Sequence, residues 1–237
     1  MNINNIEHIK NIKRVSDAIL EKLTTLVNRD CQPGKFSLVE IRDKYAKNMD
    51  IFYIFENEEP VYFLLLDRFP KHKTVYIHDV CVSKRARGQG LFKRSLGFLK
   101  AYYAKRGFTY FTLDASDSVK EAGLDQKARI RIFSGAGFDI NTETGYYTAK
   151  GAYEIVPTTV LLSNGETGTI LGRMDDDYRF ASSQKKEYMI SINQIEKCFD
   201  GSEKQISCPM IMLLSTEGGK NRRHTLKKRL KVTKTLS

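Results

Sequence analysis

The chain has 237 residues, 41% hydrophobic and 28% charged, a balance that excludes global disorder and suits one large domain or one domain with an appendage. Its longest apolar runs, such as residues 61–66 and 210–214, fall far short of the about 20 residues of a membrane-spanning helix. The net charge is +11, but residues 217–237 hold eight Lys or Arg against one Glu, so +7 belongs to a tail and +4 to the 216 residues before it; whole-chain basicity is then no argument that the body binds nucleic acid.

Residues 1–10 alternate polar and apolar and lack the hydrophobic stretch of a secretory signal. Residues 3–12 read as a strand. Ser16 is placed to cap a helix whose Ile19, Leu23, Leu26 and Val27 share one face. Cys31-Gln32-Pro33-Gly34 ends it. Ser37 and Glu40 form a capping box, with Phe36 and Ile41 as its hydrophobic staple, and start a second helix to about residue 47. Residues 51–55 and 61–66 read as a hairpin around a short polar turn, and residues 75–82 as a third strand. Arg87-Gly88-Gln89-Gly90 opens a long helix whose Phe92, Leu96, Leu99 and Tyr103 are apolar on one side, with Gly107 as its stop. A strand at 110–115 and a short helix at 125–134, ended by Gly135 and Gly137, follow. Residues 146–147 and 155–162 read as later strands.

After Leu162 the pattern turns polar, with the run Asp175-Asp176-Asp177. Residues 163–207 read as an insertion or C-terminal elaboration before a last strand at 209–214. The plan is a domain over residues 1–216 and a basic, disordered tail over 217–237. The element order gives a mixed sheet in an α/β or α+β layer. Cys31, Cys81, Cys198 and Cys208 show no close pairing and no metal-ligand spacing, so reduced cysteines and no metal site are expected.

The chemistry-bearing stretch runs from residue 75 to residue 107. A strand enters Gly88-Gln89-Gly90, and a helix starts there. A helix N-terminus offers unpaired amides and partial positive charge, and glycines let a phosphate approach closely. Arg85 and Arg87 add charge. The phosphate loop GxxxxGK[S/T] is absent, and the third glycine of a dinucleotide fingerprint is missing. The pattern therefore reads as an anion site suited to a pyrophosphate.

The stretch Asp79-Val80-Cys81-Val82-Ser83-Lys84-Arg85-Ala86-Arg87-Gly88-Gln89-Gly90-Leu91 resembles the coenzyme A loop of the GNAT N-acetyltransferases. The family motif is Gln/Arg-x-x-Gly-x-Gly/Ala, five residues after a strand valine. Counting from Val82 places it at Arg87, Gly90 and Phe92. Arg85, Gly88 and Gly90 match two residues earlier, but the strand-to-loop spacing favours the first frame. Phe92 departs from the motif. The resemblance covers residues 3–160 and includes the Gly137-Phe138 ending of the helix before it.

The resemblance implies a GNAT-like mixed, mostly antiparallel sheet with a splayed central strand pair and helices on both faces. Acetyl-CoA would lie between residues 75–82 and 110–115. Backbone groups of Val80, Cys81 and Val82 would pair with its pantetheine arm. Amides of Arg87, Gly88, Gln89, Gly90, Leu91 and Phe92 would hold its pyrophosphate, and Gln126 stands where the family often has a cofactor-contacting Asn. The implied reaction is direct acetyl transfer to a primary amine in a ternary complex. An amine attacks only when neutral, so a base is needed. His78 is the first candidate, Asp79 or Asp114 acting through water the others. The family's tyrosine acid falls at Phe133, which has no proton to give, leaving Tyr146, Tyr147, Tyr153 or water. Cys81 reads as a backbone or core residue rather than a nucleophile.

The acceptor is read as a small-molecule or peptide amine. The acidic run at 175–177 suits a cationic acceptor, or a solvated loop. Residues 220–234 suit nonspecific nucleic-acid binding or a nuclear address on an otherwise cytoplasmic protein. The Gly218-Gly219-Lys220-Asn221-Arg222-Arg223 segment is similar to basic tails on some giant DNA virus proteins. The alternative reading is a GNAT-like coenzyme A-binding module with little turnover, tethered to nucleic acid by its tail.

Overall fold

Two antiparallel runs of strands meet at one parallel pair, and that pair organises the molecule. The computed structural model describes residues 6–31, 36–45, 48–116, 124–141, 146–147, 153–154, 159–174, 177–199 and 204–214. Strand β1 (Ile6–Asn11) leads into α1 (Asp17–Asp30) and α2 (Leu38–Tyr45). Strands β2 (Met49–Glu56), β3 (Glu59–Phe69) and β4 (Thr74–Val82) form an antiparallel meander. Helix α3 (Leu91–Ala104) carries the chain back to β5 (Tyr110–Ala115), which lies parallel to β4. Helix α4 (Gln126–Gly135) and the short β6 (Asp139–Ile140) follow. Strands β7 (Tyr146–Tyr147) and β8 (Tyr153–Glu154) pair with each other.

The chain then builds a second, all-antiparallel sheet. Its strands are β9 (Thr159–Leu162), β10 (Thr167–Met174), β11 (Asp177–Ser182), β12 (Glu187–Ser191), β13 (Ile195–Phe199) and β14 (Gln205–Ile206), in the order β12-β11-β10-β9-β13-β14. Strand β15 (Cys208–Leu213) returns to the first sheet and inserts between β5 and β6, giving β1-β2-β3-β4-β5-β15-β6. The result is the mixed, mostly antiparallel architecture expected from the sequence, with helices on both faces.

Local chemistry accounts for most boundaries. The Glu40 amide donates to Ser37 Oγ at 3.3 Å, so the capping pattern starts α2. Asp125 accepts from the Ala128 amide at 2.7 Å and starts α4. Ser16 stands at the start of α1 without a side-chain cap; its carbonyl takes the Ile19 and Leu20 amides instead. Asn57 and Glu58 both have positive φ, 50° and 63°, and make the two-residue β2–β3 turn, the geometry that matches strand twist. That tight turn is why both strands run longer than their apolar cores predict.

The first sheet has two buried faces. Helices α1 and α2 cover one, with Leu20, Leu23, Val27 and Leu38 against Ile51, Phe63 and Leu65. Helices α3 and α4 cover the other, with Leu96, Leu99 and Ile130 against Leu64, Val75 and Phe111, and the second sheet continues this core through Val160, Tyr178 and Phe180. Among the described helices none is long and apolar enough to cross a membrane.

Two expectations are corrected. Residues 159–162, read with the main fold, belong to the second sheet, and most of the polar stretch after them is strand. On β11, Tyr178 and Phe180 are buried while Asp177 and Arg179 face out; half-buried alternation dilutes hydrophobicity without removing the strand. The cysteines, expected reduced, form the disulfides Cys31–Cys81 and Cys198–Cys208. Their Cα separations of 5.9 and 5.3 Å suit the bond. The first pair is brought together by the end of α1 lying over β4, the second by strands of the two sheets.

Gln126 locks the sheets together. Its Nε2 donates to Ala115 O at 3.0 Å and Ile206 O at 2.7 Å, and its Oε1 accepts from the Cys198 amide at 3.1 Å. It is 3% exposed, so removing it leaves buried backbone groups without partners. Gln126→Ala is expected to destabilise the chain by about 3 kcal/mol, lowering Tm by roughly 6–12 °C. Chemical and thermal denaturation check this, and a loss below the scatter of surface substitutions would remove the junction role.

Candidate active site

The site begins with a register error in β4. Leu65 pairs with Asp79 but Leu66 pairs with Ile77, so His78 is an extra residue, a β-bulge. Before it, Val75 and Ile77 face the α3/α4 core; after it, Val80 and Val82 do, while Cys81 faces α1 and α2. One inserted residue has therefore changed the phase of the strand. His78 and Asp79 are left together on the α1/α2 side.

The bulge also ends the parallel pairing. β4 meets β5 only at Thr74–Tyr110, Val75–Phe111 and Tyr76–Thr112. Beyond Tyr76 the two strands have no ladder, although both continue, to Val82 and Ala115. The outcome is a wedge with Tyr76 and Thr112 at its apex and β4 backbone from Ile77 to Val82 along one wall. A backbone edge without a strand partner is a template for an extended ligand.

At the mouth of the wedge β4 runs through a short turn, Lys84–Ala86, into α3. Gly88 and Gly90 have φ of +77° and +68°, and nothing lies within 4 Å of where a Cβ would stand at either. Backbone conformation, not crowding, requires these glycines. No side chain caps α3, and the amides of a first helical turn have no intrahelical partner. The turn is thus an open nest of N–H donors with the positive end of the helix dipole behind it.

The two arginines contribute differently from the sequence reading. The Arg87 guanidinium donates to the Asp30 carbonyl, and its Nε lies 3.4 Å from Val82 O. Arg85 reaches Glu56, with Nη2 at 3.4 Å from its carbonyl and 3.8 Å from its carboxylate. Asp30 also accepts the Lys84 amide at 3.2 Å. These bonds, with the Cys31–Cys81 disulfide, tie the end of α1 to the loop. Arg87 therefore anchors the loop, and the turn itself presents backbone N–H groups.

A polar cluster fills the α1/α2 side of the apex. His78 Nδ1 donates to Asp79 Oδ2 at 2.8 Å; a carboxylate only accepts, so Nε2 carries the free lone pair. The Tyr76 hydroxyl donates to Asp114 Oδ2 at 2.8 Å, and the Tyr76 and His78 rings meet edge to face at 6.0 Å. Burial alone would depress His78, but the hydrogen bond to Asp79 and the fields of Asp79, Asp67 and Asp114 outweigh it, so its pKa is raised. Burial pushes Asp114 up to about 6, against the Tyr76 hydrogen bond and His78. Asp67 is also raised by burial, moderated by His78 and Arg68.

The expected site residues divide into groups. Val80, Cys81 and Val82 line the wedge, and Arg87 through Phe92 form its mouth. His78, Asp79 and Asp114 converge on one side of the apex. Gln126 is corrected: its amide is consumed at the junction of the sheets, so it belongs to the scaffold. Cys81 is 1% exposed and bonded to Cys31, which removes it as a nucleophile. Phe92 packs edge to face on Phe133 at 5.7 Å and stacks on Phe138 at 6.4 Å; the unusual motif residue and the missing tyrosine form one aromatic contact. The side chains of Tyr146, Tyr147 and Tyr153, and residues 175–176 and 217–237, lie outside the described residues. Thr112, at the apex, was missed by sequence reasoning. The bulge has a signal: apolar positions 75 and 77 continue at 80 and 82, one residue out of phase.

Residues 20–124 match the model of the Acetyltransferase (GNAT) family. No curated protein matches the chain by sequence. Among solved structures, an aminoglycoside 6'-N-acetyltransferase complexed with coenzyme A is 11% identical, with a TM-score of 0.51, covering 90% of this chain and 100% of its own. The aminoglycoside 6'-N-acetyltransferase from Enterococcus faecium gives the same identity, coverage and TM-score. The ribosomal-protein-S18-alanine N-acetyltransferase from Escherichia coli is 13% identical over 90% of this chain and 97% of its own, at a TM-score of 0.49. The chain has the fold of the aminoglycoside enzymes.

The His78 ring is expected to titrate above the free imidazole value of about 6.5, and Asp79→Asn to lower that value, as followed by NMR. An unchanged titration would show that Asp79 does not hold the ring. His78 stabilises the folded chain below about pH 6.5, and that contribution is lost as pH rises through its raised value. The contribution of Asp114 is present below about pH 4 and lost as pH rises to about 6.

Proposed function

We propose that this chain is an acetyl-CoA-dependent N-acetyltransferase that acts on a primary amine by direct attack in a ternary complex. The carrying observation is the combination of the wedge between β4 and β5 with an uncapped, glycine-lined helix start at its mouth. The residues fit coenzyme A: a pyrophosphate needs several converging amides and close backbone approach, and an extended arm needs an unpaired strand edge. The amides from Arg87 to Phe92 would hold the pyrophosphate, and the backbone of Val80, Cys81 and Val82 the pantetheine arm. Acetyl-CoA, when bound, supplies an activated thioester.

His78 is the base in this reading. Asp79 fixes the tautomer through Nδ1, and Nε2 accepts the proton of the attacking amine, directly or through water. A raised pKa makes the ring a stronger base that is unloaded only at higher pH, so turnover climbs with pH through that value. Asp114 faces the same apex and is the second candidate, through a water. Tyr147 is the candidate to give a proton to the leaving sulfur, with Tyr146, Tyr153 and water as substitutes, because Phe133 cannot. Gly90→Asp, which sets a carboxylate among the amides, is expected to abolish acetyl-CoA binding in calorimetry; unchanged affinity would refute the loop assignment. His78→Ala is expected to lower kcat at least about tenfold, within the range of general base catalysis, with cofactor affinity nearly unchanged. A pH–rate profile identical to the wild type would remove His78 as base.

A second reading is a coenzyme A-binding module with little turnover, docked on nucleic acid by residues 220–234. Two observations favour it: Phe133 in place of a proton donor, and the +7 carried by residues 217–237. Contacts of that kind are sequence-independent and weaken steeply with salt. Deleting residues 217–237 is expected to abolish DNA binding in low-salt gel shifts and to spare acetylation of small amines. Equal DNA binding by the truncated chain would assign the affinity to the body.

A further inference from the structure

The apex of the wedge holds more negative charge than a general base requires. Met49, Asp67, Tyr76, Thr112 and Ile211 follow one another across the sheet in register. Met49 belongs to the core under α1 and α2, so this row faces that side. Asp114, two residues along β5, shares the face with Thr112, and His78 and Asp79 join it from the bulge. Three carboxylates, of Asp67, Asp79 and Asp114, thus surround one imidazole. Arg68, whose charge reaches Asp67, is paired with Asp50 at 3.0 Å.

Two buried oxygen atoms in this cluster have no hydrogen-bond partner. Thr112 is 2% exposed, and its Oγ1 has no hydrogen-bond partner. Asp114 Oδ1 is buried and equally without a partner, while its Oδ2 takes the Tyr76 hydroxyl. A buried acceptor without a donor costs stability unless a ligand or water supplies one. Asp114 Oδ1 accepts, Thr112 Oγ1 can accept as well as donate, both sit on β5, and the surrounding charge is negative. The complementary group is a compact cation with several N–H donors, which is an ammonium. The described His, Cys, Asp and Glu side chains form no group able to hold a metal ion.

We propose that Asp114 and Thr112 hold a protonated amine of the acceptor, and that the acceptor is a small polyamine carrying at least two amino groups. The inference rests on the acetyltransferase reading. The reacting amine must be neutral, so the ammonium held by Asp114 and Thr112 is a second one on the same molecule. The proton lost by the reacting amine goes to His78, the new bond is an amide N–C bond, and the C–S bond of the thioester breaks to release a thiolate, which takes its proton from Tyr147 or water. Substrates with a carboxylate near the amine are repelled by Asp67, Asp79 and Asp114. A lysine on a peptide presents one ammonium per side chain and leaves the second position empty.

The test uses the full chain with acetyl-CoA and four acceptors: spermidine, butylamine, glycine and a lysine-containing basic peptide. Thiol release gives kcat/KM for each. Spermidine is expected to exceed butylamine by about tenfold or more, since hydrogen bonds to a charged group are worth about 1.5–3 kcal/mol, and glycine is expected to be the poorest. Thr112→Val and Asp114→Asn should each reduce the spermidine-to-butylamine ratio about tenfold, chiefly through KM for spermidine. Thr112→Val keeps the side-chain shape and is the decisive variant if Asp114→Asn does not fold. Equal use of spermidine and butylamine, a preference for glycine or the peptide, or a ratio unmoved by both variants would overturn the proposal; the last would mean that water alone occupies these atoms. Calorimetry with acetyl-CoA separates the two levels. Failure to bind acetyl-CoA sinks the acetyltransferase reading, whereas binding without amine discrimination sinks only this one.

Discussion

One extra residue in β4 governs this molecule. Without the bulge at His78, β4 and β5 would continue as a parallel ladder and no wedge would exist. With it, the ladder stops at Tyr76, the strand changes phase, and two polar residues are delivered to one face. A parallel ladder satisfies its backbone groups along its whole length; interrupting it leaves groups that something else must pair. The site is built from that interruption, and the α3/α4 and α1/α2 cores on either side hold the splayed strands in place.

The cluster around His78 and the loop at α3 divide the electrostatic work. The loop offers backbone N–H dipoles, with Arg85 and Arg87 tied to Glu56, Asp30 and Val82. The apex gathers the carboxylates of Asp67, Asp79 and Asp114 around His78. Backbone N–H groups and carboxylates therefore lie at the two ends of one strand edge. The disulfide from Cys31 to Cys81 joins the end of α1 to the strand between them.

Much of the first 140 residues was legible from the chain. Apolar spacing and capping residues placed α1 to α4, and β5 was read to the residue. The glycines at 88 and 90 pointed to the loop because they let a ligand approach backbone at a helix start, and the structure adds that both have positive φ. The rest depended on distant contacts. Gln126 reads as a ligand contact because it stands where the resembled family often has a cofactor-contacting Asn; only its three backbone partners, from Ala115, Cys198 and Ile206, show where its amide is used. Thr112 is unremarkable in a strand until its register partner is the last one before the wedge. The second sheet was hidden because its strands bury alternate residues, as in Tyr178 and Phe180, and their outward neighbours read as loop.

The place of β15 has a consequence for how the protein is made. This strand is the last regular element described, yet it lies inside the first sheet, hydrogen-bonded to β5 on one side and β6 on the other. A ribosome delivers the chain from its N-terminus, and non-local pairings wait for their partners. Until residues 208–213 emerge, β5 has a bare edge on the side away from the wedge. The strand that carries Thr112 and Asp114 is thus completed only after the whole second sheet has been made, and a nascent chain stalled in that sheet would hold β5 with one edge unpaired.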